Sequence, residues 1–194
     1  DNIISRKSSI PIKTNKDYSV PDFVNQHTLV IACSYSGNTE ETIYALEKCR
    51  EKNAEIAIVT SGGKLKVIAE KNNYPNIIIP EGHPPRAMFG YSFVELFYIL
   101  NEYNIIDNSF KYDFEKAISL LDKKKANIQK EAICLAKKLY GNTPIIYVSS
   151  GFEGVAIRFR QQLNENSKML CWHHVIPEMN HNELLGWRTN VKNL

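Results

Sequence analysis

The sequence predicts an α/β protein, with parallel sheets, helices on their faces and two related lobes. Three observations carry that expectation. Short β-branched, apolar runs alternate with amphipathic stretches through the first half of the chain. The same order of strand, Ser/Gly turn and helix restarts after Gly141 and Asn142. Between the two lies a lysine-rich stretch whose apolar residues recur at helical spacing.

Residues 1–27 are polar and read as an irregular lead-in with one short extended piece. Residues 28–33 are β-branched and apolar, which suits a strand buried on both faces. Residues 39–53 are helix-like, with Ile43, Leu46 and Cys49 on one side. A second strand is expected over 55–60, then a turn at Ser61, Gly62 and Gly63, a short helix over 64–72 and a third strand over 76–80. A Gly/Pro-rich loop at 81–86 leads to an apolar helix over 92–103.

In residues 113–140, Phe114, Ile118, Leu121, Ile128, Ala132, Leu135 and Leu139 mark one long helix or a helix pair. Lys123, Lys124 and Lys125 invite an anion site, but a solvated helix face is the plainer reading. A strand over 144–148, a turn over 149–154 and a helix over 155–168 follow. On that helix Val155, Phe159 and Leu163 should form the buried stripe, with Arg158, Gln162 and Glu165 on another side. Another strand is expected over 169–172. The expected division is a first lobe over 1–112, a helical connector over 113–142 and a partial second lobe over 143–194.

The 194 residues carry 24 Lys+Arg against 21 Asp+Glu, a net charge of +3 with both signs dispersed. That balance argues against a dedicated nucleic-acid binder and is compatible with a small anionic substrate. The apolar runs are far shorter than the roughly 20 residues that a membrane helix needs. No signal-peptide pattern opens the chain, so a cytoplasmic location is expected. Cys33, Cys49, Cys134 and Cys171 show no CxxC spacing, which leaves reduced thiols as the plain reading. The chain opens at Asp1 without an initiator Met and reads as processed, truncated or partly observed.

The first chemically informative segment is Ser34-Tyr35-Ser36-Gly37-Asn38-Thr39-Glu40-Glu41-Thr42. It follows a strand and opens a helix. Hydroxyls at Ser34, Ser36 and Thr39, a permissive Gly37 and the free amides of a helix start suit a phosphate. A simple N-cap would need only one hydroxyl. No Gly-Lys-Ser/Thr follows, so this is not a Walker loop. Glu40 and Glu41 suit the helix dipole but should point away from an anion.

Three further residues have two readings each. Arg86, flanked by Pro84 and Pro85, makes a surface ion pair or faces a developing oxyanion. Glu165 is an exposed carboxylate or a general base. His181, among Asn180, Asn182 and Glu183, is a surface histidine or an acid–base group. His173 and His174 could be mistaken for a metal pair, but adjacent residues on a strand face opposite ways, so two ligands from one such pair are improbable. His27 and His83 have no ligand partners by spacing. The Gly151–Gly154 turn is too short for a dinucleotide fingerprint. Neither a metal nor any cofactor is inferred.

The Ser34–Thr42 segment resembles the phosphosugar-binding signature of sugar isomerase (SIS) domains. Thr60-Ser-Gly-Gly63-Lys-Leu65, Pro85-Arg86-Ala87 with Gly90-Tyr91-Ser92, Gln162-Leu-Asn-Glu165-Asn-Ser-Lys168, and Pro177-Glu178 with Asn180-His181-Asn182-Glu183 and Gly186-Trp187 extend the match. They stand in the order seen in bifunctional phosphoglucose/phosphomannose isomerases. The resemblance implies an SIS-type, flavodoxin-like three-layer α/β/α fold. It also implies reversible interconversion of glucose 6-phosphate and fructose 6-phosphate, with mannose 6-phosphate also accepted, in glycolysis and gluconeogenesis. Ser34, Ser36 and Thr39 would hold the phosphate, and Arg86 would stabilise a cis-enediolate. Glu165 would move the proton between C1 and C2. His181 would open the sugar ring, reaching the site from the neighbouring subunit of a homodimer. The family's N-terminal Gly-Gly-Ser-Ala-type turn and its C-terminal portion with a functional lysine are not in these residues, so the chain resembles the middle of such an enzyme. SIS domains also serve as sugar-phosphate sensors. A sensor would need the hydroxyl turn but not Glu165 and His181.

Overall fold

The computed structural model describes Ile4 and residues 7–188; the end of the expected second lobe, residues 189–194, lies outside the described residues. Residues 8–108 form one compact unit, and residues 109–188, with Ile4 and Lys7, form another.

The first unit is built on three parallel strands in the order β1 (Leu29–Ser34), β2 (Glu55–Thr60) and β3 (Asn76–Ile78). Ser34 lies opposite Thr60, and Thr60 opposite Ile78. Because side chains alternate along a strand, the apolar run of β2 supplies two cores at once. Ile56 and Ile58 join Ala32 on one face, packed under α1 (Glu40–Glu51) and α2 (Gly63–Asn72) through Leu46, Leu65 and Ala69. Ala57 and Val59 face the other way and meet Ile79 and Ile99, the latter on α3 (Phe89–Glu102). This is the expected three-layer α/β/α arrangement.

Local signals agree with these elements. Glu40 and Glu41 open α1 and Lys48 and Arg50 close it, which complements the helix dipole. Arg50–Glu47 and Lys48–Glu51 pairs sit one turn apart on the same helix. α2 ends where Asn73 turns left-handed at φ 53°. A 3-10 turn, Pro85–Ala87, carries the chain into α3, which begins three residues before the expected position 92.

In the second unit, residues 109–139 form a single helix, α4 (Ser109–Leu139), rather than a helix pair. Its apolar stripe stays largely exposed, with Ile118, Leu121 and Ile128 at 61%, 59% and 45% of their full accessibility. Strands β4 (Ile145–Ser149) and β5 (Trp172–Ile176) pair in parallel across helix α5 (Glu153–Ser167). A 3-10 turn, Glu178–His181, and a short helix, α6 (Glu183–Gly186), follow.

Two expectations are corrected here. The last strand was expected over 169–172 but runs from Trp172 to Ile176. Lys168 closes α5 in the left-handed region, Met169 N–H returns to the Leu163 carbonyl, and Asn164 Nδ2 donates to the Met169 carbonyl. Residues 168–170 are thus spent on leaving the helix, and pairing starts where Trp172 N–H meets the Pro144 carbonyl. The buried side of α5 also differs. Ala156 is 1% exposed, while Val155 and Phe159 are 60% and 39% exposed, so the helix is turned about one residue from the expected stripe. A small residue lets the helix backbone approach the two-stranded sheet more closely than a Val–Phe stripe would.

Ile58 is fully buried at the centre of the first core. Ile58→Ala should destabilise the protein by about 2–5 kcal/mol, the usual cost of lost transfer energy plus a cavity. Denaturant unfolding of both proteins measures this. A change under about 1 kcal/mol would mean that the β2 layer is not the packed centre.

Candidate active site

The ends of β1, β2 and β3 deliver three loops to one edge of the first unit's sheet, as parallel topology requires. The first loop is the hydroxyl-rich turn. Gly37 takes φ +66°, and a Cβ there would lie 1.8 Å from the Gly62 carbonyl oxygen. Gly63 takes φ +65°, and a Cβ there would lie 2.3 Å from the Ser36 carbonyl oxygen. Only glycine permits this backbone-on-backbone contact. The two turns interlock further. Leu65 N–H donates to the Gly37 carbonyl (3.0 Å) and Lys64 N–H to Asn38 Oδ1 (3.0 Å).

Ser34 is buried and shares a 2.7 Å hydrogen bond with the Thr39 hydroxyl. Ser36 Oγ accepts the Asn38 N–H at 3.2 Å. Thr39 is the N-cap residue of α1, yet its side chain makes no capping bond. The hydroxyl that would satisfy the first turn is turned to Ser34 instead. The turn therefore presents uncapped helix amides beside a cluster of hydroxyls, an arrangement that can accept an anion. Glu40, in the first helical turn, lies 3.5 Å from the Tyr18 hydroxyl, and its charge raises the pKa of that phenol.

Arg86 lies in the 3-10 turn after β3, on the same edge as Ser34, Ser36 and Thr39, and its residue is exposed. In the second unit, Glu165 lies near the end of α5 and is exposed. His181 ends the 3-10 turn after β5 and is exposed too. A crossover helix carries the chain from the C-terminal edge of its sheet back to the N-terminal edge. Twelve residues of α5, about 18 Å of helical rise, separate Glu165 from the helix start at Glu153. Glu165 and His181 of one chain thus belong to opposite ends of the two-stranded sheet and are not brought together within this unit.

Sequence reasoning passed over a polar network around His174. Its Nε2 lies 2.9 Å from Glu178 Oε2, and its Nδ1 lies 2.5 Å from Glu183 Oε2. Glu183 also accepts hydrogen bonds from the Tyr147 hydroxyl and from Trp187 Nε1 (3.0 Å). Asn182 Nδ2 donates to Glu178 at 2.8 Å, and Asn182 Oδ1 accepts the Glu183 N–H. His173 faces the other way, with Nε2 3.8 Å from Glu153. The alternation of side chains along β5 separates the two histidines. Among the described residues no cluster of three or more potential ligands could hold a metal ion, and no helix is long and apolar enough to cross a membrane. The four cysteines are free.

Residues 6–98 match the family model of the SIS domain, and residues 128–194 match that of the bacterial phospho-glucose isomerase C-terminal SIS domain. This chain belongs to the SIS-domain family. Among its SIS-family relatives, a bifunctional phosphoglucose/phosphomannose isomerase of Caldicellulosiruptor bescii is 41% identical over 187 residues, 93% of this chain and 55% of that protein. A D-glucosamine-6-phosphate 4-epimerase of Sulfolobus acidocaldarius is 36% identical over 83% of this chain and 51% of its own length. The chain spans about half the length of these curated relatives. In fold it is similar to the solved tagatose-6-phosphate ketose/aldose isomerase of Escherichia coli, with a TM-score of 0.60 and 16% identity over 84% of this chain and 47% of that one.

The Glu183 carboxyl is held below its ordinary pKa by the Tyr147 hydrogen bond first, then by Trp187 and His174, against partial desolvation. A carboxylate with a depressed native pKa contributes stability above its unfolded pKa and loses that contribution as pH falls through the native value. The melting temperature of the natural chain should therefore exceed that of Glu183→Gln at pH 7, and the gap should close toward pH 3. Melting curves at both pH values check this, and a gap that holds constant with pH would contradict it.

Proposed function

We propose that this SIS-family chain acts in an aldose–ketose isomerase that interconverts glucose 6-phosphate and fructose 6-phosphate and also accepts mannose 6-phosphate. The observation that carries the reading is the 41% identity, over 93% of this chain, to a protein named for those two isomerase activities. The hydroxyl turn supports it, because its uncapped amides and clustered hydroxyls match the needs of a phosphate.

In this reading Ser34, Ser36 and Thr39 hold the phosphate and so fix the sugar's orientation. His181 opens the ring by passing a proton between the ring oxygen and O1. Glu165 then takes the proton from C2 of the aldose to leave a cis-enediolate, the O2 hydroxyl proton passes to O1, and Glu165 returns its proton to C1 to give the ketose. The Arg86 guanidinium offsets the charge that develops on the enediolate oxygens. Glucose and mannose phosphates share one enediol, so rotation about C2–C3 before reprotonation serves both. The chemistry moves protons only and calls for no redox cofactor.

A homodimer follows from the same reading. Glu165 and His181 sit at opposite ends of one two-stranded sheet. One sugar would then draw Glu165 from one protomer and His181 from its partner. A cytoplasmic place in glycolysis and gluconeogenesis would suit these substrates.

The full chain carrying Glu165→Gln tests the reading. Turnover of fructose 6-phosphate in a coupled assay should fall by about 100-fold or more, with ligand binding retained. A non-catalytic sensor would show no turnover in the natural chain and no response to the substitution, which would overturn the proposal.

A further inference from the structure

Tyr35 is bonded to every loop at the active edge of the first unit. It lies within the hydroxyl turn, between Ser34 and Ser36. Its carbonyl accepts hydrogen bonds from Ser61 N–H (2.9 Å) and Ser61 Oγ (2.6 Å), with Thr60 Oγ1 at 3.4 Å. These tie it to the turn after β2. Its phenol oxygen accepts the His83 N–H at 3.0 Å, which ties it to the loop after β3. Its ring packs against the core formed by Ala57, Val59, Ile79 and Ile99.

The stretch beyond His83 is stiff. Pro84 and Pro85 follow, with Pro84 at φ −60° and ψ 132°. Proline fixes its own φ and keeps the preceding residue extended. Ala87 N–H and Met88 N–H then bond back to the carbonyls of Pro84 and Pro85 at 2.9 and 3.1 Å. An arm of this kind has few freedoms left, so the point at which His83 is held decides where the backbone of Arg86 lies.

We propose that Tyr35 is a positioning residue: its phenol oxygen holds His83 N–H and thereby fixes the Pro84–Pro85 arm that delivers Arg86 to the sugar held by Ser34, Ser36 and Thr39. The assignment rests on the isomerase reading and adds a coupling to it. The residue that separates two phosphate-holding serines in sequence also sets the arginine that meets the reacting carbons. Substrate and transition state feel this coupling differently. The phosphate is held in both, whereas charge on the enediolate oxygens develops only as the reaction proceeds.

Tyr35→Phe in the full chain removes the acceptor and keeps the ring in its core. With fructose 6-phosphate as substrate, kcat should fall about three- to tenfold, the scale of one neutral hydrogen bond. KM should stay within about twofold, since the phosphate contacts are untouched. The same substitution made in an Arg86→Lys background should cost little more, because the guanidinium whose placement it controls is already gone. That non-additivity distinguishes positioning from simple stabilisation of the fold. An unchanged kcat, a rise in KM alone, or the same fold loss in both backgrounds would overturn the assignment while leaving the isomerase reading intact. A natural chain without turnover would overturn both.

Discussion

The first unit depends on a contact between two backbones. Gly37 and Gly63 both take positive φ, and each stands where a Cβ would strike the other turn's carbonyl oxygen. The loops after β1 and β2 are thereby locked to each other at the edge of the sheet. This lock lets the loop after β1 close tightly enough for Ser34 and Thr39 to bond to one another. It also leaves the first amides of α1 without a side-chain cap. The physical content of the site is this redirection of a hydroxyl: the group that would ordinarily end the helix is engaged elsewhere, and an anion-seeking helix terminus remains.

The second unit is organised by charge rather than by a wide core. Among the described residues its sheet has two strands, and a polar cluster joins Tyr147 of β4 and His174 of β5 to the turn and helix that carry Glu178, His181 and Glu183. His174 between two carboxylates staples the chain beyond β5 back onto the sheet. His181 lies between those carboxylates in sequence, so the staple limits where its backbone can go. Under the proposed mechanism that restraint has a purpose, since proton transfer to a sugar oxygen demands a ring held within hydrogen-bond reach.

Much of this was legible in the sequence. The run Glu55–Thr60 contains nothing but β-branched or apolar residues after its first, and the structure forms a strand over that range, buried on both faces. The hydroxyl turn was legible because one segment carries three hydroxyls and a glycine where one hydroxyl would suffice. The strand Trp172–Ile176 was not. Its two histidines lack an apolar period, and the preceding Met-Leu-Cys looked more strand-like while in fact serving the helix exit. The face of α5 was misjudged because a lone Ala156 outweighs a Val–Phe–Leu stripe when the helix lies close to its sheet. Tyr35 carried no linear signal at all. Its partners are 26 and 48 residues away, and only the parallel order of the strands places them beside it.

The proposed function stands or falls on whether the edge carrying Ser34, Ser36 and Thr39 binds the phosphate of a sugar. Titration calorimetry of the full chain with fructose 6-phosphate and, separately, with fructose tests this most directly. The account predicts a heat of binding for the phosphorylated sugar and none for fructose at equal concentration. It further predicts an affinity at least about tenfold weaker when Ser34 and Ser36 are both alanine, given the strength of hydrogen bonds to a charged group. Equal binding of the two sugars, or undiminished affinity in the doubly substituted chain, would contradict it.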